Sequence, residues 1–140
     1  MKIFADTSGW ASLLDTDQEY HRLAASVYES VRDNNGQFVT TNYVLSELIA
    51  LLGSPMRYPR ERAIAFVNSI KNSNLVRVIH IDEKLDAEAW QLLSNRVDKT
   101  WSLVDCSSFM VMEHEKLTEA FTHDHHFSQA GFIPLLKTSK

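Results

Sequence analysis

A chain of 140 residues with 44% hydrophobic side chains can bury a core of its own, and its length fits one domain spanning residues 1–140. Fourteen Lys and Arg against eighteen Asp and Glu leave a formal charge of −4, which excludes broad electrostatic attraction to nucleic acid but not a local basic strip. The longest apolar run, Leu48 to Leu52, is too short to span a bilayer; no signal-peptide h-region precedes the first strand, and Cys106 is the lone cysteine, so the expected setting is a reducing cytoplasm without membrane association.

In chain order, Lys2 to Ala5 reads as a short buried strand and Ser8 to Leu14 as a brief helix, with Asp6, Thr7 and Ser8 all able to cap it. Glu19 to Arg32 sets Tyr20, Leu23, Ala24, Val27 and Val31 at helical spacing, and Asn34, Asn35 and Gly36 turn the chain into a second strand, Gln37 to Thr41. Asn42 is the expected cap of the next helix, which ends near Gly53 and Pro55. Arg60 to Lys71 follows as a helix with Ala63, Val67 and Ile70 inward, and Leu75 to Ile81 as a strand. Asp82 opens a helix carrying Leu85, Ala89, Leu92, Leu93 and Val97. Leu103 to Glu115 is apolar on most sides, which predicts a central, buried helix. Leu117 to Thr122 reads as a strand, His125 to Gln129 as a helical turn closed by Gly131, Phe132 to Leu135 as a last short strand, and Thr138 to Lys140 as a frayed end. Strands alternating with helices predict an α/β fold with a parallel sheet and helices on both faces.

Four acids sit where strands feed helices. Asp6 ends Ile3-Phe4-Ala5, Glu47 lies one turn into the helix after Phe38-Val39-Thr40-Thr41, Asp105 opens the central helix, and Asp124 follows Ala120-Phe121-Thr122. The C-terminal ends of parallel strands share one sheet edge, where ligands bind, so these acids can converge although they are distant in sequence. Two carboxylates ~4 Å apart repel by about 4 kcal/mol at an effective dielectric near 20. A divalent cation removes that conflict, and hard oxygen ligands suit Mg²⁺ or Mn²⁺ and phosphate chemistry.

Each acid also has a structural reading. Asp6 and Asp124 can cap the helices that follow them, and Ser102-Leu103-Val104-Asp105 fits a capping box. Glu47 is harder to explain by packing: it falls at the edge of the apolar face formed by Val44, Leu45, Leu48, Leu51 and Leu52, with no Lys or Arg within four positions. A zinc site built on His123, His125 and His126 competes, but it lacks a fourth ligand at matching spacing. His21, His80 and His114 are isolated, and Cys106 reads as a small buried hydrophobe. Met56 to Arg62 sets Arg57, Arg60 and Arg62 around Tyr58, a strip that either holds RNA phosphates and stacks on a base or is simply a solvated helix entrance.

These motifs together resemble the PIN-domain family, in its VapC-type toxin branch. Asp6-Thr7-Ser8 matches the opening Asp-Thr/Ser motif, Thr41-Asn42 followed by Glu47 the second acidic position, Ser102-Leu103-Val104-Asp105-Cys106 the third, and Thr122-x-Asp124-x-His126-Phe127 the fourth. The resemblance covers nearly the whole chain. It implies a three-layer α/β/α sandwich around a short, mainly parallel central sheet, and a Mg²⁺- or Mn²⁺-dependent endoribonuclease whose products carry a 5′-phosphate and a 3′-hydroxyl. Asp6 and Asp105 are then the chief metal ligands, with Glu47 and Asp124 completing the catalytic set; Thr7, Ser8, Asn42 and Thr122 are candidate supports. The implied partners are an RNA substrate, a small antitoxin protein and a second copy of the chain in a homodimer. Two alternatives stay open at this point: an RNA-processing nuclease with the same chemistry, and a noncatalytic PIN module that binds RNA or protein.

Overall fold

The computed structural model describes residues 1–137. Five strands form one parallel sheet in the order β3-β2-β1-β4-β5: β1 (Lys2–Ala5), β2 (Gln37–Thr41), β3 (Val76–Ile79), β4 (Glu119–Phe121) and β5 (Ile133–Pro134). Seven helices connect and flank them: α1 (Thr7–Leu14), α2 (His21–Asp33), α3 (Asn42–Gly53), α4 (Arg60–Asn72), α5 (Glu83–Asn95), α6 (Leu103–Glu115) and α7 (His125–Gln129). Among the described residues no helix is long and apolar enough to cross a membrane.

The register shows how the sheet buries both faces. Phe4 pairs with Val39 on one side and Ala120 on the other, whereas Ile3 pairs with Phe38, and Ala5 with Phe121. Paired residues share a face, and successive residues alternate between faces. Phe38 and Phe121 therefore point together to one face, where they meet Trp10 of α1 at ring-centroid distances of 5.4 and 5.8 Å. Phe4 points to the other face, where it meets Phe127 of α7, which in turn packs edge-on against Phe109 of α6 at 5.0 Å. One aromatic cluster per face joins sheet to helices, giving the expected α/β/α layers.

The chain moves outward from β1 to β2 and β3, then returns to the opposite side of β1 for β4 and β5. This reversal creates a topological switch point between β1 and β4, where the loops leaving the two strands diverge and open a crevice. The Asp6 N–H donates to the Phe121 carbonyl across the two strand ends at 3.2 Å, which fixes the spacing of the crevice walls.

Several local expectations change. Thr41, not Asn42, caps α3: its hydroxyl accepts from Val44 N–H at 3.1 Å, and Asn42 is already helical. α5 stops at Asn95, so Val97 lies beyond it and is 89% exposed rather than inward. Strands β3, β4 and β5 are shorter than the apolar runs predict, because ladder pairing ends before the runs do. The end Thr138 to Lys140 lies outside the described residues.

Candidate metal centre

Asp6 follows β1 at the N-cap position of α1, yet its side chain makes no capping bond. The carboxyl is instead buried at 3% exposure and accepts from the Thr122 hydroxyl at 3.0 Å. Burial pushes its pKa from 3.8 to about 7; the negative charges of Asp105 and Glu47 push the same way, against hydrogen bonds from the Thr7 backbone and the Thr122 hydroxyl. Asp6 thus senses two of the other three acids. Among the described residues no Lys or Arg forms an ion pair with any of the four.

The Thr122 hydroxyl has a defined direction. It accepts from Asp124 N–H at 3.0 Å, so its own proton goes to Asp6. The Ser8 hydroxyl accepts from His123 N–H at 3.1 Å and lies 2.8 Å from Thr122 Oγ, toward which its proton is free to turn. Ser8 and Thr122 thus tie α1, the end of β4 and the loop before α7 into one unit beneath Asp6.

The other acids are held with similar economy. Glu47 Oε1 accepts from the Thr7 hydroxyl at 2.6 Å. Asp105 Oδ2 accepts from Ser102 N–H at 3.0 Å, completing the expected capping box, and from His126 Nδ1 at 2.9 Å. Asp124 Oδ1 accepts from His126 N–H at 2.9 Å and caps α7. In Glu47, Asp105 and Asp124 these contacts all fall on one carboxylate oxygen, and the second oxygen has no hydrogen-bond donor among the described residues. The capping readings of Asp105 and Asp124 therefore hold only in part, and that of Asp6 fails: a carboxylate can cap a helix with one oxygen and offer the other to a cation.

Asp6, Glu47 and Asp124 line an open cleft of about 410 Å³ together with Thr7, Ser8, Ala11, Gln18, Leu51, Pro55, Met56 and His123. Asp105 stands behind it, 7% exposed, linked through His126 to the loop that carries Asp124. The supports divide: Thr7, Ser8 and Thr122 join the acids, whereas Asn42 does not. Its Oδ1 accepts from Ile81 N–H at 2.7 Å and anchors the segment after β3. The basic strip borders the cleft through Pro55 and Met56. Arg62 lies over the Tyr58 ring at 5.2 Å, and the Tyr58 hydroxyl sits against Asp15, so that ring is already engaged inside the protein.

The three-histidine zinc arrangement does not form. His123 stacks on Tyr20 instead, with ring centroids 4.8 Å apart, and His126 spends Nδ1 on Asp105. The one trio among the described residues whose ligand atoms all lie within 4.8 Å of one another is Asp124, His125 and His126. No three of the four acids bring their ligand atoms that close together among the described residues. Such spacing suits a hydrated ion: Mg²⁺ keeps several of its waters and is held by one or two carboxylates directly. The donor chemistry fits a hard divalent cation, since the four acids offer carboxylate oxygens and no thiolate, and burial of Asp6 beside two like charges leaves an electrostatic conflict that a cation would relieve.

Sequence reasoning weighed His126 and His123 as zinc ligands and missed their contacts with Asp105 and Tyr20. The visible signal was their placement within two residues of Asp124; what it lacked was the rotation of α7, which turns His126 back toward Asp105.

An acidic site at the switch point of a parallel sheet defines the class: an α/β protein with a carboxylate centre between its first and fourth strands. Residues 3–133 match the PIN domain, and the chain belongs to the PIN-domain family. It is 34% identical over 131 residues to the 23S rRNA-specific endonuclease VapC20 of Mycobacterium tuberculosis, covering 94% of this chain and 95% of that one. It is 27% identical to a VapC ribonuclease of Archaeoglobus fulgidus, over 84% of this chain and 80% of the other. The crystal structure of VapC20, described as a sarcin-ricin loop cleaving toxin, superposes with a TM-score of 0.83 at 33% identity, covering 94% of this chain and 96% of that one. VapBC2 of Rickettsia felis, bound to a promoter DNA fragment, shares the fold with a TM-score of 0.68 at 14% identity, covering 96% of this chain and 97% of that one.

Proposed function

We propose that this protein is a divalent-metal-dependent endoribonuclease acting as the toxin of a toxin–antitoxin pair. The observation that carries the reading is the acidic centre: four carboxylates from four elements around the switch point, three of them tethered through one oxygen, with no Lys or Arg paired to any of them among the described residues. The likeness to VapC20 over nearly the whole length of both chains supports the toxin assignment.

In this reading Asp6, Glu47, Asp105 and Asp124 hold Mg²⁺ or Mn²⁺. The ion, when bound, lowers the pKa of a coordinated water and offsets charge on a phosphate. The protein's part is to keep the carboxylates in place. Thr7 fixes Glu47, Thr122 and Ser8 fix Asp6, and Ser102 with His126 fixes Asp105. Arg57, Arg60 and Arg62 lie exposed beside the cleft and hold RNA phosphates away from the cut. An antitoxin restrains the enzyme in trans, and the active form is a homodimer.

The test is cleavage of total RNA by the purified chain, with 5′ ends mapped by sequencing. Discrete cuts should appear with Mg²⁺ or Mn²⁺, vanish with chelator, and be absent for Asp6→Asn. Cuts that persist in chelator, or an Asp6→Asn variant as active as wild type, would overturn the proposal.

A further inference from the structure

The part of the cleft beyond the acids has the composition of a nucleobase pocket. None of its lining residues is Lys or Arg, so it has nothing to offer a further phosphate. Beyond the acids it is lined by Leu51, Pro55, Met56, Gln18 and His123. His123 is exposed, and its ring lies nearly parallel to Tyr20, 18° apart at a centroid distance of 4.8 Å. Tyr20 does not line the cleft, whereas His123 does, so the tyrosine backs one face of the imidazole. Tyr20 itself packs against the core, and the His123 backbone is held by Ser8. The ring is thus a rigid platform, already ordered before any ligand arrives.

Resting on the ribonuclease reading of this site, we propose that the cleft takes one unstacked nucleobase of the nucleotide adjoining the scissile phosphate, stacked on the His123–Tyr20 pair. His123 lies between Thr122 and Asp124 in sequence, so a base stacked on it stays within one nucleotide of the acids. Single-stranded RNA offers such splayed bases, and an aromatic ring accepts any of them by its π face. Met56 and Leu51 add apolar surface to the same cleft. Gln18 supplies an edge contact: its Nε2 is spent on Asp15 at 3.3 Å, which leaves Oε1 to accept from a base N–H. This pocket gives the enzyme a preference at one position flanking the cut, set by shape and stacking.

The experiment uses the full chain and a synthetic RNA spanning one cut mapped in total RNA, with Mn²⁺. The same RNA is made with an abasic ribose on each side of the cut in turn. Stacking on an aromatic platform is worth roughly five-fold to hundred-fold in binding. His123→Ala should raise KM within that range, and His123→Phe, which keeps a stacking ring, should restore most of the loss. One abasic RNA should impair wild type to the same degree and impair His123→Ala no further. Thermal melting of both variants checks that they are folded. A wild-type KM for His123→Ala, or an abasic defect equally large in wild type and His123→Ala, overturns the pocket while leaving the nuclease standing. Absence of any metal-dependent cut by wild type overturns the nuclease reading and this proposal with it.

Discussion

Asp6 concentrates the electrostatic conflict of the site in one side chain. Its folded pKa of about 7 stands above the ordinary 3.8, so the folded protein holds a proton there that the unfolded chain has already lost. The stability this gives is fully present below about pH 4 and is lost as pH rises through about 7. At roughly 1.4 kcal/mol per unit, the loss is at most about 4 kcal/mol. Melting of the metal-free protein followed from pH 4 to pH 8 should show this fall. Asp6→Asn should flatten it and should be more stable than wild type at pH 8 without metal; a wild-type pH profile in that variant would place the conflict elsewhere. His126 acts at the same scale but through another group. Its Nδ1 is 2.9 Å from Asp105, and supporting contacts of this kind are typically worth ten-fold to hundred-fold in metal affinity. Calorimetric titration with Mn²⁺ should show that loss for His126→Ala and recovery in His126→Asn, whose amide can donate from a similar position. Equal affinity in wild type and His126→Ala would reduce the histidine to a packing residue.

Helix α1 and the end of strand β4 position Asp6, Ser8 and Thr122 at the heart of the site, and their closeness depends on Gly9. A Cβ at this position would overlap the Phe121 carbonyl oxygen and approach its ring carbon to 2.6 Å. Backbone cannot yield as a flexible side-chain end does, so Gly9→Ala should cost about 1–3 kcal/mol. Urea unfolding should register it as a lower midpoint with an unchanged slope; an unchanged midpoint would show that α1 is free to shift. Most elements were legible in the sequence because each carries a strong periodic signal or a cap. The six apolar or small buried positions of α6, Cys106 to Phe109 with Val111 and Met112, are what the near-absence of a polar face in Leu103–Glu115 predicts. Asp6, Glu47 and Asp124 were legible by their place after strands, whereas Asp105 follows helix α5 with no strand between and was legible by its capping box instead. The supports were legible only in part. Thr41 and Asn42 are both competent caps, and local sequence does not say which one enters the helix; Asn42 found its partner 39 residues away at Ile81. His126 and His123 were hidden for the same reason: their partners, Asp105 and Tyr20, are set by the packing of α7 and α2, not by neighbours in the chain.

Across the whole molecule, an acidic chain hosts an acidic centre, and no Lys or Arg is among the residues that line the cleft. The proposed toxin role follows from a nuclease of this kind needing restraint by a partner. Expression of the chain alone should arrest bacterial growth within a few generations, whereas Asp105→Asn should not. Growth unaffected by abundant, folded wild-type protein would favour a role in RNA processing. Every one of these outcomes depends on the four carboxylates acting together as a cation site. The direct measurement is anomalous diffraction from a crystal soaked in Mn²⁺. The account predicts a peak bounded by the carboxylates of Asp6, Glu47, Asp105 and Asp124, lost in Asp6→Asn. No peak there, or a peak confined to the Asp124, His125 and His126 trio, would contradict it.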